Sequence, residues 1–319
     1  MTLRRSPLVA LALLAVALPA RAQRLATPAA PAVIDSAVTW RTLTELAADS
    51  MEGRRIGTRG NAAARALLVR RLSHTALSPF GAGFEQRFAV TGRDTSVREG
   101  VNVVALARGA DTSRVIVVSA HYDHVGTRNG DIFNGADDNA SGTAVVLALA
   151  EWYATHPPRH SMIFAFFDGE ESGLRGSRAF VAAPPIPLTR IAANVNLDMV
   201  ARLDKNELYA AGASPYPFFR ALLEASAATA PVKLLLGHDT NEHGPQENWT
   251  GQSDQESFHA AGIPFVYFGV EDHPDYHRAT DEVDKVNPAR FIGAARTIAD
   301  FVHRLDESLN ATVPVRPVK

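Results

Sequence analysis

His121 and Asp123 stand two residues apart in the stretch Ser119-Ala-His-Tyr-Asp-His-Val-Gly126, directly after the apolar run Val115-Ile-Val-Val118. An imidazole can ligate a metal through one ring nitrogen while a carboxylate holds the other nitrogen and fixes the tautomer. At the end of a strand, residues two apart face the same side, so the pair can share one pocket. Alone, such a pair is more often a polar cap than a site. Two more apolar runs end the same way: residues 162–167 lead into Asp168-Gly-Glu-Glu171, and residues 191–197 into Asp198. Gly135-Ala-Asp-Asp-Asn-Ala-Ser-Gly142 and Asp275-Tyr-His-Arg-Ala-Thr-Asp281 add further acids and a histidine. Singly these read as a solvated turn or a helix cap. Together in one chain they need a cation, because clustered carboxylates are costly without one. There is no cysteine, so His, Asp and Glu must hold it. The remaining histidines, His124 and His273 included, read as structural or solvent-exposed.

The elements that must position these groups alternate along the chain. Strands are expected at 84–90, 101–107, 115–120, 162–167, 191–197 and 265–268, and helices at 141–153, 174–181, 217–227 and 288–305. The alternation predicts a three-layer α/β domain, whose ligands gather at the carboxyl ends of parallel strands. Residues 144–150 are apolar almost all round and predict a helix buried against the sheet. Two earlier helices are expected, one starting at Asp35 or Ser36, the other capped by Asn61 with Ala64, Leu67, Leu68 and Leu72 on its apolar side. Residues 236–258, containing Trp249, read as a long polar loop, which in a compact domain is usually functional.

The chain of 319 residues is 46% hydrophobic and 21% charged, an ordinary globular composition. Arg4 and Arg5, an apolar core over 8–18 and Ala20-Arg-Ala22 have the form of a secretory signal peptide. Its core is shorter than the roughly 20 residues a bilayer span needs. The expected organisation is a signal peptide over 1–22, a disordered leader over 23–34, one catalytic domain over 35–309 and a tail over 310–319, in a periplasmic or secreted protein. Cleavage removes Arg4, Arg5 and Arg21 and no acid, moving the net charge from −2 to −5. That balance argues against a nucleic-acid partner, and no other segment is apolar enough to be a membrane span.

Taken together, the pieces resemble the exported co-catalytic di-zinc aminopeptidases of the M28 peptidase family. The matching segments are His121-Tyr-Asp-His124, Gly135 to Gly142, Asp168-Gly-Glu-Glu-Ser-Gly-Leu-Arg-Gly-Ser177, Asn196-Leu-Asp198 and Tyr276-His277. Glu52-Gly-Arg54 and Gly57-Thr58 resemble the family's N-terminal region. The order and spacing of five motifs make the resemblance far more specific than a single short pattern. It implies an αβα architecture with a mixed, mostly parallel central sheet, as in zinc peptidases and phosphorylase/hydrolase-like folds. It also implies two zinc ions, one held by His121 and Asp198, the other by Glu171 and His277, with Asp138 bridging them. Asp123 would support His121, Glu170 would be the general base, and Tyr276 would donate a hydrogen bond to the oxyanion. A cis peptide is implied at Asp138–Asn139. Two such cations acidify a shared water and polarise the scissile carbonyl, and the substrate would be a peptide with a free N-terminus.

Departures from the family pattern are visible. Gln255 stands where relatives often carry histidine, which bears on substrate preference. Only the short turn 91–99 occupies the point where larger relatives insert a protease-associated domain. A carboxypeptidase-type or glutaminyl-cyclase-like member of the same fold is the alternative reading. A non-catalytic binding module would have lost ligands or the base, and all are present.

Overall fold

The computed structural model describes residues 34–91 and 97–315. The expected signal peptide over 1–22, nearly all of the expected leader, the centre of the expected 91–99 turn and residues 316–319 lie outside the described residues. Two helices, α1 (Ser36–Leu46) and α2 (Arg59–Ser73), precede four strands, β1 (Ser78–Pro79), β2 (Glu85–Thr91), β3 (Val97–Ala107) and β4 (Asp111–His121). A small hairpin, β5 (Gly126–Arg128) and β6 (Asp131–Phe133), leads to α3 (Gly142–Thr155), β7 (His160–Phe167), α4 (Arg175–Ala182) and β8 (Ile191–Leu197). Then come β9 (Glu207–Ala211), α5 (Arg220–Ala227), β10 (Lys233–Leu236), α6 (Gln255–Ala260), β11 (Phe265–Gly269) and α7 (Pro288–Thr312).

Apart from the hairpin, the strands form one sheet in the order β1-β3-β7-β4-β8-β11-β9-β10, with β2 paired to β3. Its centre, β7-β4-β8-β11, is parallel. The flanks are mixed: β1 and β2 run antiparallel to β3, β3 to β7, and β9 to β11. Side chains alternate between the two faces of the sheet. Ile116, Val118, Ala120, Phe164 and Phe166 pack toward α1, α2, α3, α5 and α7. Val115, Val117, Ile163, Ala165 and Phe167 pack toward α4 and α6 through Phe180 and Phe258. Both faces of the central strands are therefore dry, which is why residues 162–167 of β7 read as an unbroken apolar run and β7 and β8 are buried along their whole length.

Local chemistry explains most element ends, and also where the structure departs from the expectations. Asp35 caps α1, accepting from the amides of Ala37 and Val38 at 3.0 Å each. The cap of α2 is Thr58, not Asn61: Thr58 Oγ1 accepts from the Asn61 amide at 3.3 Å. Asn61 lies inside the helix, and its amide donates to Asp168 Oδ1 at 2.8 Å, fixing the turn after β7. Helix α7 runs seven residues past Leu305, because Leu309 is fully buried and continues the apolar stripe. Inside the stretch read as a loop, α6 begins at Gln255; six residues are too few for a helical period to be visible. The short strands β9 and β10 escaped notice for the same reason. Among the described residues, no helix is long and apolar enough to cross a membrane.

Candidate metal centre

Three central strands end beside one another, and each delivers ligand-type side chains. Strand β4 ends on His121, β7 is followed by Asp168 to Glu171, and β8 is followed by Asp198. His121 Nε2 lies 3.1 Å from Asp198 Oδ1 and 3.4 Å from Asp138 Oδ1. On the far side of Asp138, His277 Nε2 lies 3.1 Å from Asp138 Oδ2 and 3.1 Å from Glu171 Oε2. The five residues expected as ligands are thus brought together, and Asp138 is the member shared by both halves.

His124 is also there. Its ligand atom lies within 4.8 Å of those of Asp138 and Glu171, as those of His121, Asp138 and Asp198 lie within 4.8 Å of one another. From the sequence His124 reads as structural or solvent-exposed. Strand β4 stops at His121, and the turn that follows brings the His124 ring to Glu171. Gly135, at φ +56°, makes room for the ring; a Cβ there would stand 2.7 Å from His124 Cγ.

The loops carrying these groups are held by hydrogen bonds between backbone and buried side chains. Asp281, fully buried, accepts from the amides of Asp137 and Asp138 at 3.1 Å. Asp137 Oδ1 accepts from the amides of Ala201 and Arg202 at 2.6 and 3.1 Å, and its Oδ2 faces His273 Nε2 at 3.1 Å. The peptide Asp138–Asn139 is cis, as the resemblance implies. Asn139 then ties the turn to β8, its Nδ2 donating to Leu197 O at 2.9 Å. Arg54 is fully buried below both ligand loops. Its guanidinium donates to the carbonyls of Leu46, Tyr122, Asn134 and Gly135 over 2.6–3.0 Å. In the sequence it stands only as part of the short Glu52-Gly-Arg54 motif.

Asp123 supports His121 in an unexpected way: His121 Nδ1 faces the Asp123 backbone carbonyl at 3.1 Å, with the carboxylate Oδ1 at 3.7 Å. That Oδ1 accepts from the Glu170 amide at 3.0 Å, which orients the turn bearing both glutamates. Tyr276 stacks on His277, ring centres 4.0 Å apart. Gln255 is fully buried and bridges Asn196 Nδ2 at 3.0 Å and the Trp249 carbonyl at 2.6 Å. It thereby anchors the loop where Trp249 stacks on His238, ring centres 3.7 Å apart.

The electrostatics follow from crowding acids in a dry site. Burial, with Asp198, Asp254 and Glu171 nearby, pushes the Glu170 carboxyl well above the usual range, against the pull of His121. Burial would raise Glu171 too, but the His124 and His277 imidazoles beside it hold it well below that range. Burial alone would lower His277; hydrogen bonds to Asp138 and Glu171 outweigh it and lift the imidazole to about 10. The donor set fits zinc, which takes nitrogen and carboxylate ligands in small sites. The unsatisfied atoms fit as well: Asp123 Oδ2, both His124 nitrogens and Glu171 Oε1 are buried without a hydrogen-bond partner, a costly state for polar groups that no cation compensates.

The sequence model described as peptidase family M28 matches residues 102–302. The chain belongs to the M28 peptidase family. Its two clusters of His and carboxylate side chains are suited to zinc. It is 28% identical over 206 residues to a probable leucine aminopeptidase of Arthroderma otae, covering 61% of this chain and 55% of that protein. It is 31% identical over 201 residues to aminopeptidase YwaD of Bacillus subtilis, covering 59% of this chain and 40% of that protein. The chain thus spans about half the length of the curated relatives it matches or less. Among solved structures, the zinc aminopeptidase BSAP from Bacillus subtilis matches at a TM-score of 0.70 with 17% identity, covering 90% of this chain and all of that one. A glutaminyl cyclase from an Acidobacteriales bacterium matches at 0.73 with 19% identity, covering 90% of this chain and 99% of that one. Both likenesses establish the M28 fold shared by this chain.

Proposed function

We propose that the chain is an exported zinc-dependent aminopeptidase that removes N-terminal residues from peptides. The observation that carries this reading is the pair of His and carboxylate clusters sharing Asp138 at the carboxyl edge of the sheet. In this reading His121 and Asp198 would hold one ion, Glu171 and His277 the other, and Asp138 would be shared between them. Two zinc ions so held supply Lewis acidity and a water of lowered pKa. Glu170 takes the proton from the attacking water and returns it to the leaving amine; its raised proton affinity suits that task. Asp123 keeps His121 in one orientation through the 3.1 Å carbonyl contact. Tyr276, held against His277, offers its hydroxyl to the developing oxyanion.

The leucine aminopeptidases among the relatives matched support a substrate with a free N-terminal amine. Export rests on the signal-peptide form of residues 1–22. The likeness to glutaminyl cyclases supports a second reading, intramolecular cyclisation of N-terminal glutamine.

The experiment is hydrolysis of aminoacyl-p-nitroanilides, each with a free and an acetylated amine, before and after chelation and zinc restoration. Chelator-sensitive cleavage of the free-amine substrates alone is expected. Cleavage indifferent to acetylation would replace the aminopeptidase reading with another hydrolase. Conversion of a glutaminyl peptide to its pyroglutamyl form without p-nitroaniline release would favour the cyclase.

A further inference from the structure

We propose that His124 is a ligand of the second metal ion, so that this half of the centre has four protein ligands, His124, Asp138, Glu171 and His277, while the His121 half has three. The inference rests on the two-metal reading above and extends it, since the family resemblance assigns the second ion only to Glu171, His277 and the shared Asp138.

His124 is fully buried, yet neither ring nitrogen has a hydrogen-bond partner. Its Nδ1 stands 2.6 Å from Glu171 Oε1, an atom that is also buried and without a partner. The same nitrogen lies 3.7 Å from Asp138 Oδ2. Two lone-pair-bearing atoms that face each other without hydrogen-bond alignment are arranged for a shared cation rather than a shared proton. The two oxygens of Glu171 divide the work: Oε1 faces His124, and Oε2 faces His277 at 3.1 Å. The imidazoles flank the carboxylate from the interior and from the surface, with ring centres 5.9 Å apart. His277 is the outer one: its side chain is 40% exposed, on a loop residue at φ +54°. Gly135 leaves the space that the inner ring fills.

The test is metal content by mass spectrometry after zinc loading and gel filtration, for the wild type, His124→Ala and His277→Ala. The wild type should carry two tightly held zinc ions per chain, and both variants should exchange or lose the second ion faster. His124→Ala holding two ions as tightly as the wild type would overturn the assignment. Should that variant fail to fold, X-ray absorption on the wild type counts the ligands directly: three imidazoles over two zinc ions are expected, and two would overturn it. No zinc in the wild type would instead defeat the metallopeptidase reading itself, whereas two ions with an indifferent His124 defeat only this inference.

Discussion

Strand β7 has a histidine–carboxylate cluster at each end, and the two are built on opposite principles. At its amino end, His160 meets Asp306 of α7. Each oxygen of that aspartate accepts a backbone amide at 2.7 Å, from Arg159 and from His160, and the His160 ring faces the Asp306 carbonyl at 2.8 Å. At its carboxyl end, eight residues away, the acids of the metal centre face imidazoles and one another, and several of their atoms lack partners. Both clusters are buried. What separates them is whether the protein itself satisfies the carboxylate. A satisfied aspartate staples a helix to a sheet; acids and imidazoles left unsatisfied together are organised for something the chain does not supply.

The largest expected effect lies at the unsatisfied end. Glu170→Gln should lower kcat by about 10²- to 10⁴-fold, the usual range for a general base, with both metals retained. Because it removes an acid whose neighbours resist its ionisation, the same change should raise the melting temperature of the metal-free protein. A melting temperature that falls, measured by calorimetry after chelation, would erase the distinction between the two ends. At the satisfied end the expectation reverses. Asp306→Ala leaves one buried amide (His160) and one partly exposed amide (Arg159) without their acceptor. It should cost about 1–4 kcal/mol of stability, at roughly 1–3 kcal/mol for a buried unsatisfied group and less for an exposed one. In denaturant titrations it should lose that stability while kcat/KM in the folded protein stays unchanged.

Metal uptake sharpens the comparison further. In the metal-free protein His277, lifted to about 10, is protonated at neutral pH, and a metal must displace that proton. Affinity at that end should therefore rise with pH, by up to about tenfold, or 1.4 kcal/mol, per unit for each proton released. Calorimetric zinc titrations in buffers of differing ionisation enthalpy measure the release directly. The smallest effect is expected away from both clusters: Thr58→Ala, which removes the α2 cap, should cost about 1 kcal/mol, read by thermal unfolding.

The parts of the centre that were legible in the sequence are those carried by strand ends. His121 and Asp198 follow runs whose burial on both faces makes them unmistakable, and the acids of Glu170 and Glu171 follow a third. The ligand order and spacing then carried the resemblance to relatives. His124 was illegible because a strand's alternation cannot be extended past an end that the sequence does not mark. Asn61 was misread because a good capping residue type was serving as a buried hydrogen-bond donor to Asp168. Arg54 was illegible because three of the four carbonyls it bonds lie 68 to 81 residues away, and a backbone carbonyl leaves no trace in side-chain chemistry.

That arginine also decides what can be cut from this protein. The stretch matched by the family's sequence model begins at 102, yet the cation lying under its ligand loops sits at position 54. A fragment holding only the recognisable stretch would keep its metal ligands and lose the fork that joins the Tyr122 turn to the Asn134–Gly135 turn. The heritable unit of this centre is therefore longer than its signature. Recombination between relatives should tolerate exchanges in the turn between β2 and β3, but a crossover between Arg54 and Tyr122 would pair each ligand loop with a clamp selected against a different partner.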